Sequence, residues 1–378
     1  MMGLLIGCSG SGDAGRGAPA GGSGGGGGVG VGGAAGAGAS SPGLPVLGNG
    51  THSMAGVQLT VVGTAADGLD VPRDLAFHNV EAEQLWVVNR ATPSVTVFFA
   101  VGKPDQFAST RSGPGSSHFL AEPAALAFGA PGFLATAQEQ DEVTQPSTPA
   151  TFMGPTLWTS DTSFFEGGLA SHYDMLHNSP SCAGIAWERD NVYWVFDGYH
   201  ASLTRYDFGL DHGPGGSDHS GGIIARYAEG QVSYVPDVPS HLEYDAATGL
   251  LYVADTGNAR IAVLDTQSGV KGAPFGPYYD GAEQYRMEEA QVATLPGTDT
   301  AGLERPSGLA LSAGLVYVTD NQSGKISAFD KQGKMIDWLA TGLGPGSLMG
   351  IAVDPGGRLY IVDALGARVL RIEPLASP

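Results

Sequence analysis

From about residue 57 to the C-terminus, apolar residues fall in short runs separated by Gly, Pro, Asn and Asp. The runs are too short for helices, and many alternate with the two-residue period of a half-buried strand. The pattern also repeats. Residues 239–266 read PSHLEYDAATGLLYVADTGNARIAVLDT, and residues 306–330 read PSGLALSAGLVYVTDNQSGKISAFD. Residues 348–373 and 182–207 follow the same scheme. An apolar strand and a turn lead to a second apolar strand ending in Asp. A polar or Gly-rich turn and a third, alternating strand follow. Weaker copies occupy 72–99 and begin again at 123. Each copy predicts a β-meander with two apolar faces, which one meander alone cannot bury. A ring of six can, each sheet packing on the next. The expected fold is all-β, a six-bladed β-propeller.

The first strands start at equivalent positions: Asp74, Ala125, Gly184, His241, Gly308 and Gly350. Their spacing, from 42 residues (Gly308 to Gly350) to 67 (His241 to Gly308), requires insertions, expected near 138–172, 209–221 and 268–303. The last copy ends at Glu373 after three strands and leaves a bare edge, which invites aggregation. Val57 to Val62 is a β-rich segment with no blade of its own and is the expected outer strand of the last blade. The string Tyr252 to Val263 (YVADTGNARIAV) closely resembles the NHL repeat, a resemblance extending over roughly residues 57–378.

Composition changes at the other end. Residues 9–50 are mostly Gly, Ala, Ser and Pro, with too little apolar surface to offset the entropy of ordering. They read as a flexible linker ahead of a propeller domain at 51–378. Leu5-Ile6-Gly7-Cys8 resembles a bacterial lipobox, which implies residues 1–8 as a signal remnant and lipidation at Cys8. No basic residue precedes Cys8, which points to a true start upstream of Met1. The implied location is the bacterial cell envelope, outer membrane, periplasmic or surface, with membrane contact through a lipid anchor only. No run of 18 apolar residues exists to span a bilayer.

Thirty-eight acidic side chains against 18 basic give a net charge of −20. A phosphate backbone would be repelled, so nucleic acid is not an expected partner. The two cysteines, Cys8 and Cys182, do not suggest a disulfide framework. Six of nine histidines (His172, His177, His200, His212, His219 and His241) lie within 172–241, where an even spread would put about two. In a propeller, the connection into a blade and the turn between its second and third strands share one face. His172, His177, His200 and His241 are expected there, with His118 and Arg90, and His241 nearest the channel. His172, Asp174, His177 and Cys182, with His200 and His241, offer imidazole, carboxylate and thiolate to zinc, copper or iron. On the opposite face, Asp211 and Asp218 flank a Gly-rich loop that could wrap calcium, although no EF-hand pattern is present. Solvated loop histidines, an inert buried cysteine and an ion-free turn are the competing readings. Trp158, Trp187 and Trp194 suit recognition or blade core equally.

Two functions follow. One is an envelope-anchored module that binds a protein, peptide or small-molecule partner through its loop face. The other comes from similarity to six-bladed peptidyl-α-hydroxyglycine lyases. That resemblance implies a His-ligated metal at the channel mouth, held here by His177, His200 and His241. The metal would serve lyase or hydrolase chemistry, with Tyr199 as base and Arg90 as electrophilic stabiliser. The register departs by one residue, because Ser240 stands where that family places its His. The lactonase pattern, a channel calcium held by Glu, Asn and Asp, fits less well.

Overall fold

A computed structural model of the chain describes residues 43–112, 116–141, 143, 152–162 and 172–376. Cys8 and the expected lipobox, the expected linker up to residue 42, and parts of the 138–172 insertion lie outside the described residues. The architecture is a six-bladed β-propeller, each blade built on four strands in antiparallel order. The innermost strands are Pro72–Phe77, Pro123–Phe128, Cys182–Arg189, Leu242–Asp245, Pro306–Ser312 and Leu348–Val353, for blades 1 to 6.

The apolar faces of the meanders are buried between blades. Trp86, Val88, Leu126 and Leu134 pack between blades 1 and 2. Ile326, Leu339, Ile361 and Leu370 do the same between blades 5 and 6. Each such side chain contributes on the order of 1.5–3 kcal/mol when fully buried. The recurring Asp that ends the second strand ties the blades to their connections. Asp255 accepts from the backbone N–H of Ser233 at 2.7 Å and from the Arg260 guanidinium at 2.7 Å. Asp320 accepts from the N–H groups of Glu304 and Arg305. A buried carboxylate thus satisfies donors in the segment leading into its own blade.

The ring closes as the bare edge requires. Val57–Gly63 pairs antiparallel with Arg368–Pro374, from Val57 opposite Pro374 to Gly63 opposite Val369. Packing begins earlier than composition suggested. Gly43 to Gly50 falls within the expected linker, yet Val46 and Leu47 are buried among blades 5 and 6. The carboxylate of Asp337 accepts from the N–H groups of Leu44 and Gly50. Two apolar side chains and one buried acceptor suffice to fix a stretch that is otherwise Gly and Pro.

The insertions also depart from expectation. The 138–172 region contains the third strand of blade 2, Thr156–Thr159, and His172–Met175 is its fourth. That third strand is four residues long between long connections, so its alternation is hard to see. The 268–303 insertion forms a hairpin, Val270–Pro274 with Glu283–Glu288. This hairpin leaves blade 4 and extends the outer edge of blade 3, pairing in parallel with Ile223–Tyr227.

Candidate functional site

The inner strands of all six blades enclose a central channel of about 350 Å³. Its narrow end is set by the equivalent first-strand positions. A Cβ at Gly184 would fall 2.0 Å from the Ser240 carbonyl oxygen, and one at Gly308 would fall 2.3 Å from that of Met349. Backbones of neighbouring blades approach so closely that only glycine fits. Blade 2 carries the small Ala125 at this register, and blades 1 and 4 depart further, with Asp74 and His241. Three blades apart in a ring of six, these positions oppose each other, and the side chains meet. His241 Nδ1 lies 3.4 Å from Asp74 Oδ1, and Nε2 donates to the Ala124 carbonyl at 3.3 Å. Both side chains are buried, and together they cross the narrow end.

Asp74 also accepts from the Leu126 N–H at 3.1 Å. Burial nevertheless pushes its carboxyl up, against the opposing pull of His241. Glu243 lines the same channel, where burial and then the charge of Asp74 raise its carboxyl to about 8. Glu243 therefore favours its protonated form at neutral pH. Neither carboxyl was singled out in the sequence, although Asp74 occupies the register at which its equivalents are mostly Gly or Ala.

On the face that carries the segments leading into each blade lies a cavity of about 320 Å³. Arg90, in the second-to-third turn of blade 1, is its centre. It donates to Glu139 at 2.6 Å and lies 2.7 Å from both Glu122 and Asp237. Burial raises the carboxyl of Glu139, and the Arg73 and Arg90 guanidinium groups oppose that rise. Asp141, Ser181 and Tyr234 complete the wall. Arg90 is where the sequence placed it, but its guanidinium is held among carboxylates. Tyr199 is largely exposed, with its ring edge against His200.

The six expected metal ligands do not share a site. His177 Nδ1 lies 2.6 Å from Asp280, a residue of the hairpin that extends blade 3. His200 Nδ1 lies 2.8 Å from Asp197 Oδ2, the Asp ending its own blade's second strand. Asn258 makes the same contact with Asp255 in blade 4, at 2.9 Å. His200 is thus a turn cap built from a different side chain. His241 is committed to Asp74. Cys182 is fully buried in the core between blades 2 and 3, and burial pushes its thiol well up, away from the thiolate a metal needs. His177, His200 and His241 therefore do not fit one channel metal. His172 and Asp174 lie on the outer strand of blade 2, not in the connection into blade 3. That strand begins at the opposite face, where the 209–221 loop lies.

In that loop, Asp211 accepts from the Gly213 N–H and Asp218 from the Ser220 N–H and hydroxyl. These are local turn bonds. Trp158 and Trp194 are core, whereas Trp187 is partly exposed along the channel. His118 stacks edge-on against Phe119 beside blade 2.

Fold and channel define a six-bladed β-propeller with one end of its channel crossed by an Asp–His pair. No protein-family model matches the chain, and no curated protein matches it in sequence. Among solved structures, it is similar to an auxiliary nutrient binding protein from Bacteroides ovatus. Identity there is 14% over 85% of this chain and 77% of that one, with a TM-score of 0.53. A luciferin-regenerating enzyme aligns at 11% identity over 85% and 96%, with a TM-score of 0.52. Virginiamycin B lyase from Staphylococcus aureus aligns at 11% over 84% and 99%, with a TM-score of 0.50. At these identities the likeness is one of fold. No helix among the described residues is long and apolar enough to cross a membrane.

Proposed function

We propose that the chain is an envelope-anchored lipoprotein whose propeller binds a small polar ligand over the Arg90 face. The observation that carries this reading is the cavity in which acidic side chains converge on Arg90. Its charged walls are Arg90 against Glu122, Glu139, Asp141 and Asp237, one cation for four carboxyl groups. An amine- or hydroxyl-bearing ligand can take over Glu122 or Asp237 without stranding a buried charge, because Glu139 still holds the guanidinium. Tyr234 offers a ring face for stacking. The similar fold of a nutrient binding protein supports a binding role. The lyase or hydrolase alternative draws no support from His177, His200 and His241, each of which faces a different carboxylate.

Calorimetric titration of the protein with monosaccharides, polyamines and short peptides tests the binding. Asp237→Asn and Glu122→Gln are expected to weaken the bound ligand at least about tenfold while leaving the fold intact. A ligand whose affinity ignores both changes would move the site elsewhere. The anchor is tested separately, by incorporation of labelled palmitate that Cys8→Ser abolishes. Labelling that survives this substitution removes Cys8 as the attachment point.

A further inference from the structure

The 209–221 loop does not hang free of the blades. The His212 N–H donates to the Tyr173 carbonyl at 3.2 Å, and the Gly215 N–H donates to the His172 carbonyl at 3.0 Å. Loop and outer strand of blade 2 are therefore stitched together by backbone. Gly216 backs the His212 ring so closely that a Cβ would lie 2.5 Å from Nδ1. Two imidazoles are brought to one carboxylate by this docking. His212 and His219 have ring centroids 4.9 Å apart. One ligand atom each from Asp174, His212 and His219 lies within 4.8 Å of the other two.

One hydrogen bond fixes the His212 tautomer. His212 Nδ1 lies 2.6 Å from the Gly213 carbonyl oxygen, which can only accept, so Nδ1 carries the proton. Its Nε2 is then a bare lone pair, and this atom is buried with no hydrogen-bond partner. His219 Nδ1 lies 2.7 Å from Asp174 Oδ1, so these two atoms already converge, and a cation entering between them would take both as ligands in place of the Nδ1 proton. A neutral imidazole whose Nδ1 is anchored on a carbonyl and whose Nε2 is free, as in His212, is a form in which His binds metal. A buried unsatisfied acceptor destabilises the fold, and a cation would offset that cost.

We propose that Asp174, His212 and His219 form a binding site for a divalent transition metal of the zinc class, at the rim between blades 2 and 3. Three protein ligands of this kind leave a fourth position open. His219 also lines a rim pocket of about 540 Å³ with His118, His177 and Tyr279, so the open position can face an exchangeable ligand. The site is separate from the channel and the Arg90 cavity. It clamps a loop of blade 3 onto the edge strand of blade 2.

The test uses the full chain, stripped with a chelator and titrated with Co²⁺ and then Zn²⁺. One equivalent of Co²⁺ with the strong visible absorption of four-coordination, displaced by Zn²⁺, is expected. His212→Ala and His219→Ala should each weaken binding at least on the order of 10–100-fold, the loss typical even for partners one shell further out. His200→Asn should leave binding unchanged. The His212 side chain hydrogen-bonds its own neighbour's carbonyl, so its variant keeps the test open if His219→Ala fails to fold. Circular dichroism verifies that. Absence of stoichiometric Co²⁺ binding, or binding that survives His212→Ala, overturns the proposal.

Discussion

The channel and the rim of blades 2 and 3 both bring histidine to carboxylate, but in opposite proportion. In the channel one imidazole, His241, is met by Asp74 with Glu243 close by. At the rim two imidazoles, His212 and His219, are met by Asp174. Where carboxyl groups are in excess and enclosed, repulsion and burial favour keeping their protons. Where imidazoles are in excess, a lone pair such as that of His212 Nε2 is left over for a metal. The same residue types thus yield a proton-holding plug at one place and a ligand set at the other. Construction differs as well. The channel pair comes from two substitutions at one repeat register, and the rim cluster comes from an insertion docked on a neighbouring blade.

The largest expected effect distinguishes what depends on the whole ring from what depends on one junction. Deleting residues 55–63 removes Val57 from the core of blades 5 and 6 and Val62 from that of blades 6 and 1. It also strips the partner of Arg368–Pro374, so blade 6 loses its outer strand. A channel built from six inner strands cannot persist when one of the six packing junctions opens. The loss should be comparable to the whole stability of a domain, about 5–15 kcal/mol, and should appear as a collapse of cooperative melting. An unchanged Tm in the truncated protein would show that closure by Val57–Gly63 does not hold the ring.

The contrast in construction also explains what could be seen in the sequence. Meander patterning, blade number and closing strand follow from local alternation and from counting strands, so they were legible. His241 was legible for the same reason, as a large residue where Gly184 and Gly308 stand. Asp74 sat in the same register and was passed over, because only the ring geometry shows that positions three blades apart face each other. His200 looked like a ligand because it replaces Asn258, yet it fills the same capping role with a different side chain. The rim cluster was only half legible. Its histidines stood out by density, but Thr156–Thr159 was hidden between long connections. Asp174 was therefore given to a connection, when it lies on the strand that meets the 209–221 loop. The hairpin that leaves blade 4 and brings Asp280 to His177 depends on a parallel pairing that no local pattern announces.

A smaller effect sharpens the channel side of the comparison. Folding raises the Glu243 carboxyl from its ordinary value near 4.5 to about 8, with burial the first cause and the charge of Asp74 the second. Below pH 4.5 the group is protonated in both folded and unfolded chains and takes nothing from stability. Between about 4.5 and 8 the unfolded chain releases this proton while the folded one keeps it, so stability falls as pH rises and levels off above 8. Gln cannot ionise, so Glu243→Gln lacks that loss. The variant's Tm should gain on the wild type steadily from pH 5 to pH 8, by on the order of 5 °C, and the gap should then stay constant. A gap that is flat across this range would mean that Glu243 is solvated as an ordinary surface carboxylate. The channel would then be an open polar passage, and the contrast with the rim would rest on the Asp74–His241 pair alone.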